Sequence, residues 1–206
     1  MNRIVLICSC LLLLQGASPL PESLNPSLAK SPSVSEPNSS TLDHGGKIET
    51  KYDGFNHETV VTLKKMRVNC GGAKGLRSTL KQTCVSLVAS LHCPGAQLDY
   101  VRYAKLQLVF ETKDWDQRHP LEERELIVVA DGQRLRLGRM RLVTQDVASD
   151  RGIDRMNEVL EVSVPYQAFN TIALAQTVEI KVGKTVFALQ EKTLDALRDL
   201  NIRVKF

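Results

Sequence analysis

The chain has 206 residues, 43% of them hydrophobic and 24% charged, with a formal net charge of +4. A charge this small singles out no class of partner by electrostatics alone. The apolar run over residues 4–14 is eleven residues long, against the roughly 20 that span a bilayer as a helix, so export is expected in place of anchorage.

Arg3 ahead of that run, and Gln15-Gly16-Ala17 after it, complete the pattern of a secretory signal peptide over residues 1–17. Ser9-Cys10 offers the small residue and cysteine of a lipoprotein signal, but four leucines follow it. Residues 18–50 hold Pro19, Pro21, Pro26, Pro32 and Pro37 among serines. Apolar residues there are too sparse to offset ordering entropy, and a disordered linker is expected. Asn38-Ser39-Ser40 fits an N-glycosylation acceptor, which would matter only in a eukaryotic secretory pathway. Residues 51–206 suit a single domain able to bury a sufficient core without staples.

Within that domain, residues 59–63 and 66–68 carry β-branched side chains in short runs, one interrupted strand or two short ones. Cys70-Gly71-Gly72 breaks the pattern. Val85, Leu87, Ala89 and Leu91 then alternate with Cys84, Ser86, Ser90 and His92, a half-buried strand with Val88 as its apolar exception. Leu106, Leu108 and Phe110 repeat the device. A polar loop over residues 113–123 leads to a hairpin in which residues 126–130 and 133–137 flank Asp131-Gly132, a dipeptide suited to a type I′ turn. That turn sets Val128 opposite Leu135 and Leu126 opposite Leu137, with Arg134 and Arg136 on the other face. Residues 145–157 are expected as a polar loop, 159–164 as a strand, and Pro165 as the start of a helix carrying Tyr166, Phe169, Ile172 and Ala173 at helical spacing. Residues 178–182 and 185–189 form a second hairpin around Gly183-Lys184. Leu194, Leu197 and Leu200 stripe a last helix, with Asn201 as its stop.

The whole implies a mainly β fold, an antiparallel β-sandwich-like domain with two short C-terminal helices, or a β-rich α+β arrangement. The sequence of DG hairpin, V-P-Y-x-x-F helix, V-E-I-x-V-G-x-T-x-F-x-L hairpin and L-D-A-L-R-D-L helix, over residues 126–200, resembles a group of uncharacterised exported bacterial proteins. The resemblance implies architecture and carries no catalytic residue, because the shared motifs are structural. Cys70, Cys84 and Cys93 depart from that pattern.

Candidate chemistry is sparse. In an oxidising compartment three cysteines remain after signal removal. Cys84 and Cys93 on one strand would lie roughly 30 Å apart, against the 4.4–6.8 Å a bridge requires. Cys70 is therefore the partner of any disulfide, with Cys84 if the flanking strands are neighbours, or else with Cys93. Zinc ligation by Cys70, Cys84, His92 and Cys93 lacks the paired short spacings of structural sites, and adjacent His92 and Cys93 point to opposite faces of a strand. Asp146, Asp150 and Asp154 lack the ligand pattern of a calcium loop and suit a solvated one. No G-x-S-x-G, H-E-x-x-H or phosphate-binding loop is present, and each histidine stands apart in sequence from a partner acid or nucleophile. No cofactor and no enzymatic activity are expected, although triads assembled from distant residues leave a secreted or periplasmic hydrolase as the rival.

Two features point to binding. Arg134, Arg136, Arg139 and Arg141 form a basic ribbon suited to an envelope protein, a glycan or an anionic surface, against the ordinary alternative of a solvated sheet face. Nucleic acid is disfavoured because no aromatic residues interleave with them. Trp115, with His119 in the same loop, could anchor a partner or stack on a sugar; such a tryptophan more often folds back over a sheet edge. The leading expectation is an exported binding or scaffold module, with assembly through a strand edge as a third possibility.

Overall fold

The computed structural model describes residues 43–70, 84–112, 119–150 and 153–204. The described residues form ten strands, most of them from alternating apolar positions: β1 (Ile48–Asp53), β2 (Glu58–Cys70), β3 (Cys84–Pro94), β4 (Tyr103–Thr112), β5 (Glu125–Ala130), β6 (Gln133–Arg139), β7 (Arg141–Asp150), β8 (Ile153–Val164), β9 (Val178–Val182) and β10 (Thr185–Ala188). Two helices join them, α1 (Tyr166–Leu174) and α2 (Glu191–Ile202). Six strands pair in the order β1-β2-β3-β4-β8-β7 and four in the order β10-β9-β5-β6. Every pairing is antiparallel. The fold is thus mainly β and sandwich-like, as expected.

One core joins the two sheets. Leu87, Leu91, Leu108 and Leu160 of the larger sheet share it with Leu126, Val128, Ile180 and Val182 of the smaller. The helices extend the smaller layer, α1 against β4 and β5, α2 against β2 and β3. Phe169 and Ile172 on α1 and Leu194, Leu197 and Leu200 on α2 are buried, as their helical spacing requires. Among the described residues no helix is long and apolar enough to cross a membrane.

Both hairpin turns follow from their residues. Asp131 and Gly132 have φ of 47° and 83°, the two positive values of a type I′ turn. The Asp131 carboxylate also accepts hydrogen bonds from the backbone of Gln176 and Thr177 at 3.0 and 2.8 Å. Those amides hold the carboxyl below its ordinary range and tie the turn to the entry of β9. Gly183 has φ of 56°, and a Cβ there would lie 3.0 Å from the carbonyl oxygen of Glu123, so backbone conformation and space both require glycine.

Several boundaries differ from expectation. The ordered fold begins before residue 51, because β1 starts at Ile48 and the His44 side chain reaches α2. Its sequence, IETKYD, is too polar to declare a strand, and pairing with β2 makes it one. The expected polar loop over residues 145–157 is instead the distal part of a long hairpin, in which Asp146 sits opposite Asn157 and Ser149 opposite Asp154. Polar residues suit an edge strand, where one side needs no apolar cover. Leu126 faces Gly138 rather than Leu137, because a bulge between Leu126 and Ile127 shifts the register after Val128–Leu135. Asn201 does not stop α2. It is buried inside the helix, where its amide accepts from the Tyr166 hydroxyl and donates to Asn170, both at 2.8 Å. The expected signal peptide and most of the expected linker lie outside the described residues, as does the expected break at Gly71-Gly72.

The cysteines sort by register. β2 is one strand with irregularities after Leu63 and Arg67, and it sets Cys70 directly opposite Cys84 on β3. Facing α-carbons in an antiparallel pair are about 4.5–5.5 Å apart, inside the range a disulfide needs. Cys93 lies at the other end of β3, opposite Thr59, as a free buried thiol. The alternative pairing of Cys70 with Cys93 is therefore corrected, since register separates them by most of a strand. Non-reducing peptide mapping should link Cys70 to Cys84 and recover Cys93 as a thiol. Leu197, 1% exposed, should cost about 2–5 kcal/mol when replaced by alanine, measured by urea unfolding; a loss under 1 kcal/mol would contradict its place in the core.

Candidate functional site

The four arginines do not form one ribbon. Arg134 and Arg136 project from the outer face of the four-stranded sheet, where Arg136 lies 3.7 Å from Glu125. Arg139 and Arg141 flank Met140, which is fully buried where the chain leaves one sheet for the other. Arg141 belongs to β7 and donates to Glu161 at 3.0 Å. The change of sheet at Met140 divides the set. Trp115 lies outside the described residues. His119 is 4% exposed, so it cannot offer its ring to a partner, and its binding assignment is corrected.

Register supplies what Arg134 and Arg136 lack. Val186, Lys181, Ile127 and Arg136 form one row across the outer face, and Ala188, Glu179, Val129 and Arg134 form the next. Ile127, Val129, Arg134, Glu179, Lys181 and Val186 line a groove of about 300 Å³. It shares Val129 and Glu179 with a second, open groove of about 650 Å³ that runs toward α2. Val186 is half exposed, and among the described residues neither Arg134, Arg139 nor Lys181 enters an ion pair. The result is a shallow surface of β-branched side chains between cationic ones, with Glu179 as an anion within it.

The histidines show the larger difference from the sequence. Three are buried, and each meets a carboxylate from a distant part of the chain. His44 Nε2 lies 3.0 Å from Asp199 on α2. Its Nδ1 accepts from the Gly46 amide at 3.0 Å, so the proton sits on Nε2 and both nitrogens are engaged. His119 Nδ1 lies 2.6 Å from Glu158 on β8, while Nε2 lies 3.1 Å from Oγ1 of Thr185 on β10. Glu158, 1% exposed, also accepts from the His119 amide and sits 4.0 Å from Arg124. Because β8 and β10 belong to different sheets, this cluster clasps the two layers together.

His92 occupies the opposite, outer face of the six-stranded sheet. Its Nδ1 lies 3.1 Å from Oε1 of Glu58 and its Nε2 3.1 Å from Oγ of Ser90. A carboxylate can only accept, so Nδ1 carries the hydrogen, the Nε2 lone pair faces Ser90, and the hydroxyl donates. The Tyr103 ring stacks on the imidazole at 4.5 Å and 14°. Burial lowers the imidazole below its ordinary value, opposed by the hydrogen bond it donates to Glu58, and the neutral ring is favoured. Adjacent Cys93 faces the core, where burial pushes its thiol up to about 11. His92 and Cys93 thus diverge, as the strand geometry requires.

These pairings were missed because acid and histidine lie 155, 39 and 34 residues apart. The available signal was period two: Ser90 and His92 share a face on any strand. No family model, curated protein or solved structure matches the chain.

The depressed imidazole has a consequence for stability. The unfolded chain takes up this proton at about 6.5, before the folded one does. The stability the neutral ring contributes is complete above that value and is lost as pH falls through the folded value. Thermal melts of wild type and His92→Gln should therefore converge as pH falls from 7 to 5. A difference independent of pH would show that the ring titrates alike in both states.

Proposed function

We propose that this chain is an exported binding module that docks on an anionic membrane surface through the outer face of its four-stranded sheet. One observation carries it: the two registered rows that place Arg134, Arg136 and Lys181 beside exposed Val186 and half-buried Ile127 and Val129. A shallow surface of this kind suits a flat partner better than a small ligand, which needs enclosure on most sides. Cations at an anionic leaflet contribute about 1 kcal/mol each. Arg134, Arg139 and Lys181, outside the ion pairs of the described residues and opposed by the Glu179 carboxylate on the same face, together contribute about 2 kcal/mol, or roughly thirtyfold in partitioning. Export is the part of the proposal motivated by residues 1–17 alone.

Sedimentation with vesicles containing anionic phospholipid should show retention that falls steeply between 50 and 300 mM salt. Substituting glutamine at Arg134, Arg139 and Lys181 together should lower retention by at least about tenfold. Equal retention of the substituted chain, or equal binding to zwitterionic vesicles, would leave the arginine face as an ordinary solvated surface.

A further inference from the structure

Of the three buried histidines, only His92 pairs with a primary alcohol on an outward face. We propose that Ser90 is an activated nucleophile toward small aryl esters, with His92 as its general base and Glu58 as the positioning residue. This activity goes beyond membrane docking and does not depend on it, since the two surfaces belong to different sheets.

The geometry has the parts in the required order. Ser90 and His92 are two residues apart on β3, so both project from the same face. Glu58 reaches Nδ1 from β2, and Tyr103, directly opposite His92 on β4, holds the ring plane by stacking. The hydroxyl proton already points at the base. Lys105, opposite Ser90 on β4, puts a cation on the face where negative charge develops on the substrate oxygen. The charged and titratable groups around the imidazole are Glu58 from β2, Tyr103 and Lys105 from β4, and Glu161 from β8. Ser90 is partly exposed, so an ester can approach its hydroxyl from solvent, while the His92 ring is itself buried, 6% exposed, and meets the reacting atoms through Nε2 beside Ser90 Oγ. The other hydroxyl relay, Thr185 with His119 and Glu158, is also partly exposed at its hydroxyl but ties the two sheets together and uses a more hindered secondary alcohol.

In the first step Ser90 Oγ bonds to the ester carbonyl carbon as its proton passes to His92 Nε2. The carbon–oxygen bond to the leaving group then breaks, and the departing phenol takes that proton from His92. Water, deprotonated by the same nitrogen, attacks the acylated serine. Carboxylic acid leaves, and the proton returns to Ser90. An open sheet face gives little hold on a long acyl chain, which is why the substrate class is a small ester with a good leaving group.

The test uses the full chain and a fluorophosphonate probe, with p-nitrophenyl acetate as the turnover substrate. Mass spectrometry should place the phosphonyl adduct on Ser90 and leave Thr185 unmodified. Ser90→Ala should abolish both labelling and turnover. His92→Gln should slow labelling about a hundredfold or more, with thermal melts confirming that each variant is folded. In wild type the rate should rise with pH and level off once His92 is neutral. Glu58→Gln should move that midpoint further down, because the anion that favours the protonated ring is gone, a change that a purely structural tie would not produce. A folded wild-type chain without an adduct at Ser90 overturns the proposal. So does an adduct whose rate is the same in His92→Gln.

Discussion

The apolar face of a six-stranded sheet is too broad for four strands to cover, and the arrangement of this chain follows from that mismatch. Leu63, Leu87, Leu91, Leu108 and Leu160 are essentially removed from water, each worth on the order of 1.5–3 kcal/mol relative to exposure. The sheet of β5, β6, β9 and β10 covers part of this face, and α1 and α2 complete the layer. Neither helix has length enough to be stable alone. Both exist because the remaining apolar surface gives them something to cover. The outer faces of both sheets are left without a second layer among the described residues, although Ser86, His92 and Val109 on that of the larger sheet are buried, and both candidate surfaces lie there.

Buried polar contacts add specificity to that layer. The imidazole of His119 joins a carboxylate of one sheet to a hydroxyl of the other, and the imidazole of His44 ties the segment ahead of β1 to α2. Tyr166, Asn170 and Asn201 join the two helices in the same way. A buried polar group is costly when unpaired, so each of these contacts penalises alternative registers that would break it. His92 is built from the same elements but faces outward. Its partner is a partly exposed serine on the outer face, and this difference of side separates the tie between the sheets from the nucleophile proposed above.

Electrostatics on the outer faces is governed by the same strand geometry. Arginines spaced by two in β6 stay together, whereas those on either side of Met140 are separated because that side chain must enter the core. Lys181, far along the chain, joins the row of Arg136 from the other side of Ile127 through the pairing of β9 and β6 with β5. The basic surface is thus a property of strand order.

Local chemistry in the sequence determined the elements whose causes are local. Alternation marked β3 and β4, Asp131-Gly132 and Gly183 marked two turns, and the leucines of α2 marked its buried stripe. Positive φ and period-two or helical spacing act over a few residues, and the sequence displays them directly. Elements whose causes are distant were not legible: β1 and the outer half of the β7–β8 hairpin carry polar residues and become strands only because a partner supplies the other half of each ladder. The bulge at Leu126 has the same origin. The candidate sites straddle this divide: period two already sets Ser90 with His92 and Arg134 with Arg136, but the residues that complete each site come from other strands. Glu58 meets His92, and Thr185 meets His119, through strand order and register, and no window of sequence contains both members of either pair. Tertiary structure decided which histidine closes the core and which one faces a reachable serine.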